Sequence, residues 1–106
     1  WQDKSWVVGL ERAGFAKAYD WNGLQQQRII SDVLGGEPLL LALASDNVSF
    51  AAVSRRVGEK VLTFRYANRQ LTDVETGSVW TWRGRCVAGP LRGRQLAPLP
   101  AVQEFW

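Results

Sequence analysis

The sequence predicts a mainly β fold: a compact antiparallel barrel or sandwich of about seven to nine short strands with at most one or two short helices. Three observations carry this prediction. Short apolar stretches, several with period-two alternation, recur along the chain. Turn signals built from Gly, Pro, Asn and Asp separate them at roughly regular spacing. A helical period shows only weakly, between Asn22 and Leu34.

In chain order, Trp6 to Leu10 is apolar and β-prone, Glu11 to Gly14 is a turn, and Phe15 to Trp21 resumes the strand. This is a hairpin in which Phe15, Lys17 and Tyr19 share one face and Ala16 and Ala18 the other. Asn22 to Leu34 reads as one short helix or helical turn, with Asn22 as its cap and Gly35-Gly36 as its end. Ile29 and Ile30 are equally able to open a strand. Pro38 to Ala44 is a continuous apolar run whose length suits a central buried strand.

Val48 to Arg56 alternates weakly, and Val57-Gly58-Glu59 turns the chain. Lys60 to Tyr66 returns with Leu62, Phe64 and Tyr66 on one face, and Gln70 to Val74 adds a short strand. A turn at Glu75-Thr76-Gly77 introduces a strand in which Ser78, Trp80 and Trp82 point one way and Val79, Thr81 and Arg83 the other. Gly89-Pro90 and Arg92-Gly93 are further turns. Gln95 to Pro100 is extended, and Val102 to Trp106 reads as the start of a helix.

A chain of 106 residues makes one domain, here a single β-rich unit over 1–106. A domain of this size buries roughly two-thirds of the surface of its unfolded chain, enough for a core. Trp1 opens the sequence without an initiator Met and Trp106 closes it, which reads as an excerpt of a longer polypeptide. The longest apolar run, Pro38 to Ala44, is far short of the ~20 residues of a membrane-spanning helix. Any membrane contact is expected through segments outside these residues.

The net charge is +3, from ten Arg and three Lys against ten carboxylates. The basic residues are dispersed, with one doublet at Arg55-Arg56, whereas a nucleic-acid footprint is clustered. The expectation is a solvated Arg-rich surface and no nucleic-acid partner.

The sequence has no His. That removes the usual general base near neutral pH, the Ser-His-Asp and Cys-His arrangements, and the imidazole ligand of most transition-metal sites. The single Cys86 excludes an internal disulfide and a Cys cluster for zinc. Its neighbour Arg85 would favour a thiolate, but a free Cys is more often a small buried hydrophobe. Asp73 and Glu75 share a strand face beside Thr76-Gly77, where they shape a turn more readily than they serve as an acid–base pair. Asp46-Asn47-x-Ser49 offers oxygen ligands but too few for a calcium loop, and reads as a turn. Trp80 and Trp82, with nearby Arg, form either a stacking platform for sugars or bases or part of the core. No catalytic residue, metal site or cofactor is assigned.

Several stretches together resemble a bacterial family known as domain of unknown function 3179. They are Val8-Gly9-Leu10, Ala16-Lys17-Ala18-Tyr19, Asp32-Val33-Leu34-Gly35-Gly36-x-Pro38, Val61-Leu62-Thr63-Phe64, Glu75-Thr76-Gly77-Ser78-x-Trp80, Gly89-Pro90-Leu91-x-Gly93 and Leu96-x-Pro98-Leu99-Pro100. The resemblance covers most of the chain. Many members carry a Cys-Pro-Leu-Cys-like motif after the central strand, and some are selenoproteins, which suggests thiol or metal chemistry for them. Counting back from Val61 without gaps places that motif on Ala44-Ser45-Asp46-Asn47, where both sulfur positions are absent. A family His falls near Gln27 and an Asn on Ser31; of that group only Asp32 is kept. The resemblance implies the fold, a bacterial source and an extracytoplasmic or membrane-associated place, and it counts against activity in this divergent member.

The functional expectation is a non-catalytic binding or assembly domain of a larger, membrane-associated bacterial protein, with a protein partner or a neighbouring domain. The expected partner surface is Trp80, Trp82, Arg83 and Arg85. The alternatives are a family-type thiol or metal redox protein using groups outside this chain, and a glycan or single-strand binder using the aromatic strand.

Overall fold

The computed structural model describes residues 6–105, so the expectations placed on Trp1 and Trp106 themselves lie outside the described residues. The fold is mainly β and antiparallel, a sandwich-like stack rather than a closed barrel. β1 (Trp6–Arg12) and β2 (Phe15–Asp20) form the predicted hairpin around Ala13-Gly14, both at positive φ. Of the face shared by Phe15, Lys17 and Tyr19, only Tyr19 is buried.

The helix, α1 (Trp21–Gln27), is shorter than the periodicity suggests and is capped by Asp20 rather than Asn22. The Asp20 carboxylate accepts from the Gly23 amide at 2.9 Å. Arg28 ends the helix at φ 71°, its amide donating to the Leu24 carbonyl at 2.7 Å. Ile29 and Ile30 then open β3 (Ile29–Leu34), which pairs with β4 (Glu37–Leu43). β-Branched side chains next to a ready partner strand outweigh a weak helical period. Gly35-Gly36 is therefore the two-residue turn of a hairpin, both residues at positive φ.

β4 is the central strand that the apolar run predicts. It lies between β3 and β5 (Phe50–Ser54). Both of its faces are covered: Leu39, Leu41 and Leu43 pack against the first hairpin and α1, and Leu40 packs against Val53, Phe64, Leu71 and Trp80. A strand buried on both sides loses the polar half of its alternation, which is why this segment reads as unbroken Leu and Ala. The sheets on either side make this a layered domain with two apolar clusters.

The described residues contain thirteen strands, more than the expected seven to nine, because long segments divide between sheets. β6 (Arg56–Val57) and β7 (Lys60–Val61) form a small ribbon. After Leu62-Thr63 the same segment continues as β8 (Phe64–Ala67), which pairs with β9 (Gln70–Asp73) in a different sheet. β10 (Val79–Trp80) and β11 (Cys86–Ala88) complete that sheet in the order β11-β10-β9-β8. β12 (Pro98–Leu99) pairs with β5, and β13 (Ala101–Phe105) pairs with β1. The expected C-terminal helix is thus a strand: a free edge of β1 satisfies this backbone along its length. No helix among the described residues is long and apolar enough to cross a membrane.

The Arg55-Arg56 doublet is engaged within the fold. The Arg55 guanidinium donates to the carbonyls of Leu39 (2.9 Å), Asp32 (3.0 Å) and Leu62 (3.1 Å). The Arg56 Nε lies 4.0 Å from Glu37.

The two hairpin glycines differ in a testable way. A Cβ on Gly35 would collide with the Arg12 carbonyl oxygen, whereas one on Gly36 would meet nothing within 4 Å. Gly36→Ala is expected to cost about 1–2 kcal/mol, from positive φ alone. Gly35→Ala adds a backbone clash and is expected to cost more than this. Urea denaturation of the two variants checks the order.

Candidate functional site

Three turns meet at one end of the central strand. The first follows β4. Asp46 accepts from the amides of Val48 (2.9 Å) and Ser49 (2.8 Å) and from the Ser49 hydroxyl (2.8 Å). These donors hold its carboxyl below the usual carboxylate range. Asp46-Asn47-x-Ser49 is therefore a self-satisfied turn, as its composition suggests. The second is the β8–β9 turn, Asn68-Arg69, with both residues at positive φ. The third runs from Thr81 to Arg85, where the Thr81 amide donates to the Arg85 carbonyl and the Gly84 amide to the Thr81 carbonyl.

Between them lies a cleft of about 250 Å³, whose lining includes Ala44, Ser45, Tyr66, Arg69, Thr81 and Trp82. The rings of Tyr66, Trp80 and Trp82 and several polar groups converge there, the usual make-up of a small binding site. Arg28 braces one side. It donates to the Ala44 carbonyl at 2.7 Å and to the Asn47 side chain, and its guanidinium sits 6.0 Å from the centre of the Tyr66 ring. Gln25 donates to the Asn47 carbonyl at 3.3 Å. The end of α1 and the Ala44–Asn47 turn, distant in sequence, are thus adjacent in space.

The four residues of the predicted partner surface separate. Trp80 is buried, 3% exposed, with its indole N–H donating to Asp73 at 2.9 Å and Phe64 packed edge-on at 5.6 Å. It is packed into the core, and what it leaves open lines the cleft beside Trp82. Trp82 is half-buried and walls the cleft. Arg83 is exposed and lies over the Trp82 ring at 4.9 Å. Arg85 is exposed and outside the cleft lining; its backbone bridges to Gln95.

The cleft also holds residues that sequence reasoning missed. Tyr66 was legible only as a strand position and Ser45 only as a turn residue. Arg69 had one weak signal, its place beside Asn68 between two alternating strands.

The remaining candidates are structural. Cys86 is buried opposite Trp80, its thiol 3.3 Å from the Ala88 carbonyl. Asp73 is buried and accepts from the Thr76 amide (2.6 Å), the Thr76 hydroxyl (2.7 Å), the Gly77 amide (3.0 Å) and Trp80. Burial alone would push its carboxyl up; these donors outweigh burial and hold it below the usual range. Glu75 accepts from the Thr63 amide at 2.8 Å. The two carboxylates shape a turn.

Asp32 sits away from the cleft. It accepts from Lys17 at 2.6 Å and from the Tyr19 hydroxyl at 2.9 Å, joining the first hairpin to β3. The Lys17 hydrogen bond lowers the Asp32 carboxyl, while burial raises the Tyr19 hydroxyl. A larger hollow of about 570 Å³ lies on the first sheet, lined mainly by small and aliphatic residues such as Gly9, Ala16, Ala18 and Val102. Its Lys17 is engaged by Asp32, so it gathers less recognition chemistry than the cleft. Among the described residues, no group of three or more Cys, Asp or Glu side chains is placed to hold a metal ion.

An antiparallel β sandwich with an aromatic cleft at one end of its central strand defines a class of small β domains. Within that class, the chain belongs to the family described as protein of unknown function (DUF3179), which it matches over residues 1–106. No curated protein and no solved structure matches the chain. Of the positions on which the resemblance places the family's Cys-Pro-Leu-Cys-like motif, Ala44 and Ser45 line the cleft, and Gln27 precedes the arginine that donates to Ala44 and Asn47.

Proposed function

We propose that this chain is a non-catalytic binding domain and that the cleft between Ser45, Tyr66, Arg69 and Trp82 is its binding site. The observation that carries this reading is the convergence on one hollow of Trp82, Tyr66 and the Arg69 guanidinium, which has no ion pair among the described residues. The chemistry of the chain agrees with it. There is no His, the one thiol is in the core, and the carboxylates with shifted titration are tied to turns or strand pairs. The setting we propose is a larger bacterial, membrane-associated protein, in which the cleft engages a protein partner or a neighbouring domain.

The test is affinity capture of the full-length protein from its native membranes in mild detergent, compared with its Trp82→Ala variant. A stoichiometric partner recovered with the parent and lost with the variant supports the reading. Identical recovery with both contradicts it.

A further inference from the structure

Arg69 stands where a two-residue hairpin turn favours glycine. Ala67 pairs with Gln70, so Asn68 and Arg69 form the whole turn, at φ 52° and 61°. Such turns prefer Asn followed by Gly, because both central residues adopt left-handed backbone. Asn68 fits this rule, while Arg69 carries a long side chain in a conformation that disfavours one. Strain of this kind persists where a side chain has a task.

The surroundings of the side chain suggest that task. Arg69 lines the cleft and makes no hydrogen bond or ion pair among the described residues. Among the described residues, no Asp or Glu lines the cleft. Arg28, the nearby guanidinium, is engaged by Ala44 and Asn47. The hydroxyls of Ser45 and Tyr66 line the same hollow as further hydrogen-bonding groups, and Trp82 and Leu71 supply its apolar surface.

Resting on the binding reading above, we infer that the cleft takes a carboxylate carried on an aromatic or aliphatic body, with Arg69 as the residue that selects its charge. One available guanidinium matches one negative charge, and its planar fork fits a carboxylate in a bidentate pair. The carboxylate belongs either to a free organic acid or to the end of a peptide chain.

The experiment is calorimetric titration of the protein and its Arg69→Gly variant with 3-phenylpropionate, its neutral amide, and N-acetylphenylalanine. Thermal melts of both proteins control for folding. The acid is expected to bind at least about tenfold more tightly than the amide, a range typical of a charge-assisted hydrogen bond. Arg69→Gly is expected to erase that difference while raising Tm, since glycine suits the turn. Tighter binding of N-acetylphenylalanine than of 3-phenylpropionate supports the inference and assigns the site to a chain end; the reverse supports it and assigns the site to a free acid. Equal binding of acid and amide, or an unchanged preference in Arg69→Gly, overturns the charge assignment and leaves the binding reading standing. No binding of any probe at ~10 mM, where even weak millimolar sites would fill, overturns the carboxylate inference, while the partner reading stands or falls on the affinity capture.

Discussion

Asp73→Ala is expected to destabilise the domain by about 3–4 kcal/mol, a large share of the ~5–15 kcal/mol that holds a small domain folded. The carboxylate is 1% exposed and accepts from Thr76, Gly77 and Trp80. Removing it leaves buried donors without an acceptor, each costing about 1–3 kcal/mol if nothing replaces it. The fall in Tm should be on the order of 15 °C for a domain of this size. Asp73→Asn keeps the volume and one acceptor oxygen, so it should lose less.

The pH dependence has a definite sign. The folded carboxyl is held below its ordinary value, so its contribution is complete above the unfolded value, about 4, and is lost as pH falls through the folded one. The stability gap between parent and Asp73→Ala should therefore be constant from neutral pH down to about pH 5 and narrow below pH 4. Urea denaturation across that range measures it.

Trp80→Ala should cost about 3–5 kcal/mol, whereas Trp82→Ala should cost about 1 kcal/mol or less. Trp80 packs in the cluster of Leu40, Val53, Phe64 and Leu71, and its loss opens a cavity there. Trp82 forfeits only a partly exposed contact with Arg83 and one wall of the cleft. Because Asp73 and Trp80 share a hydrogen bond, the double variant Asp73→Ala, Trp80→Ala should lose less than the two single losses added. Thermal and urea unfolding of the set separate the core tryptophan from the surface one.

That contrast marks the limit of what the sequence discloses. Period-two alternation puts Trp80 and Trp82 on one face, but it carries no information on where the strand stops. The chain leaves the sheet after Trp80, because the Thr81 amide turns to the Arg85 carbonyl rather than to a neighbouring strand. Lys60 to Tyr66 is similar. It reads as one strand, yet it changes partners at Leu62, where the backbone donates to Arg55. Pro38 to Ala44 was legible because burial on both faces writes itself into composition. The first hairpin was legible because its turn and its strands agree.

The family motifs and the turns at Glu75-Thr76-Gly77 and Gly89-Pro90 were also plain in the sequence. The cleft was not, since Ser45, Tyr66, Arg69 and Trp82 come from separate turns and strands and have no common period. Sequence reasoning singled out Trp82 as a surface residue and Asp46-Asn47-x-Ser49 as a turn, and only folding brings Trp82 and the start of that turn region, Ala44 and Ser45, to one cleft.

The most direct test of the central claim, that this cleft is the binding site, is two-dimensional NMR of the tryptophan indole N–H groups during titration with 3-phenylpropionate. The account predicts that the Trp82 signal moves saturably, while the signal of Trp21, which lies in the other apolar cluster and outside the cleft lining, stays in place. A saturable shift at other tryptophans with Trp82 unmoved would contradict it.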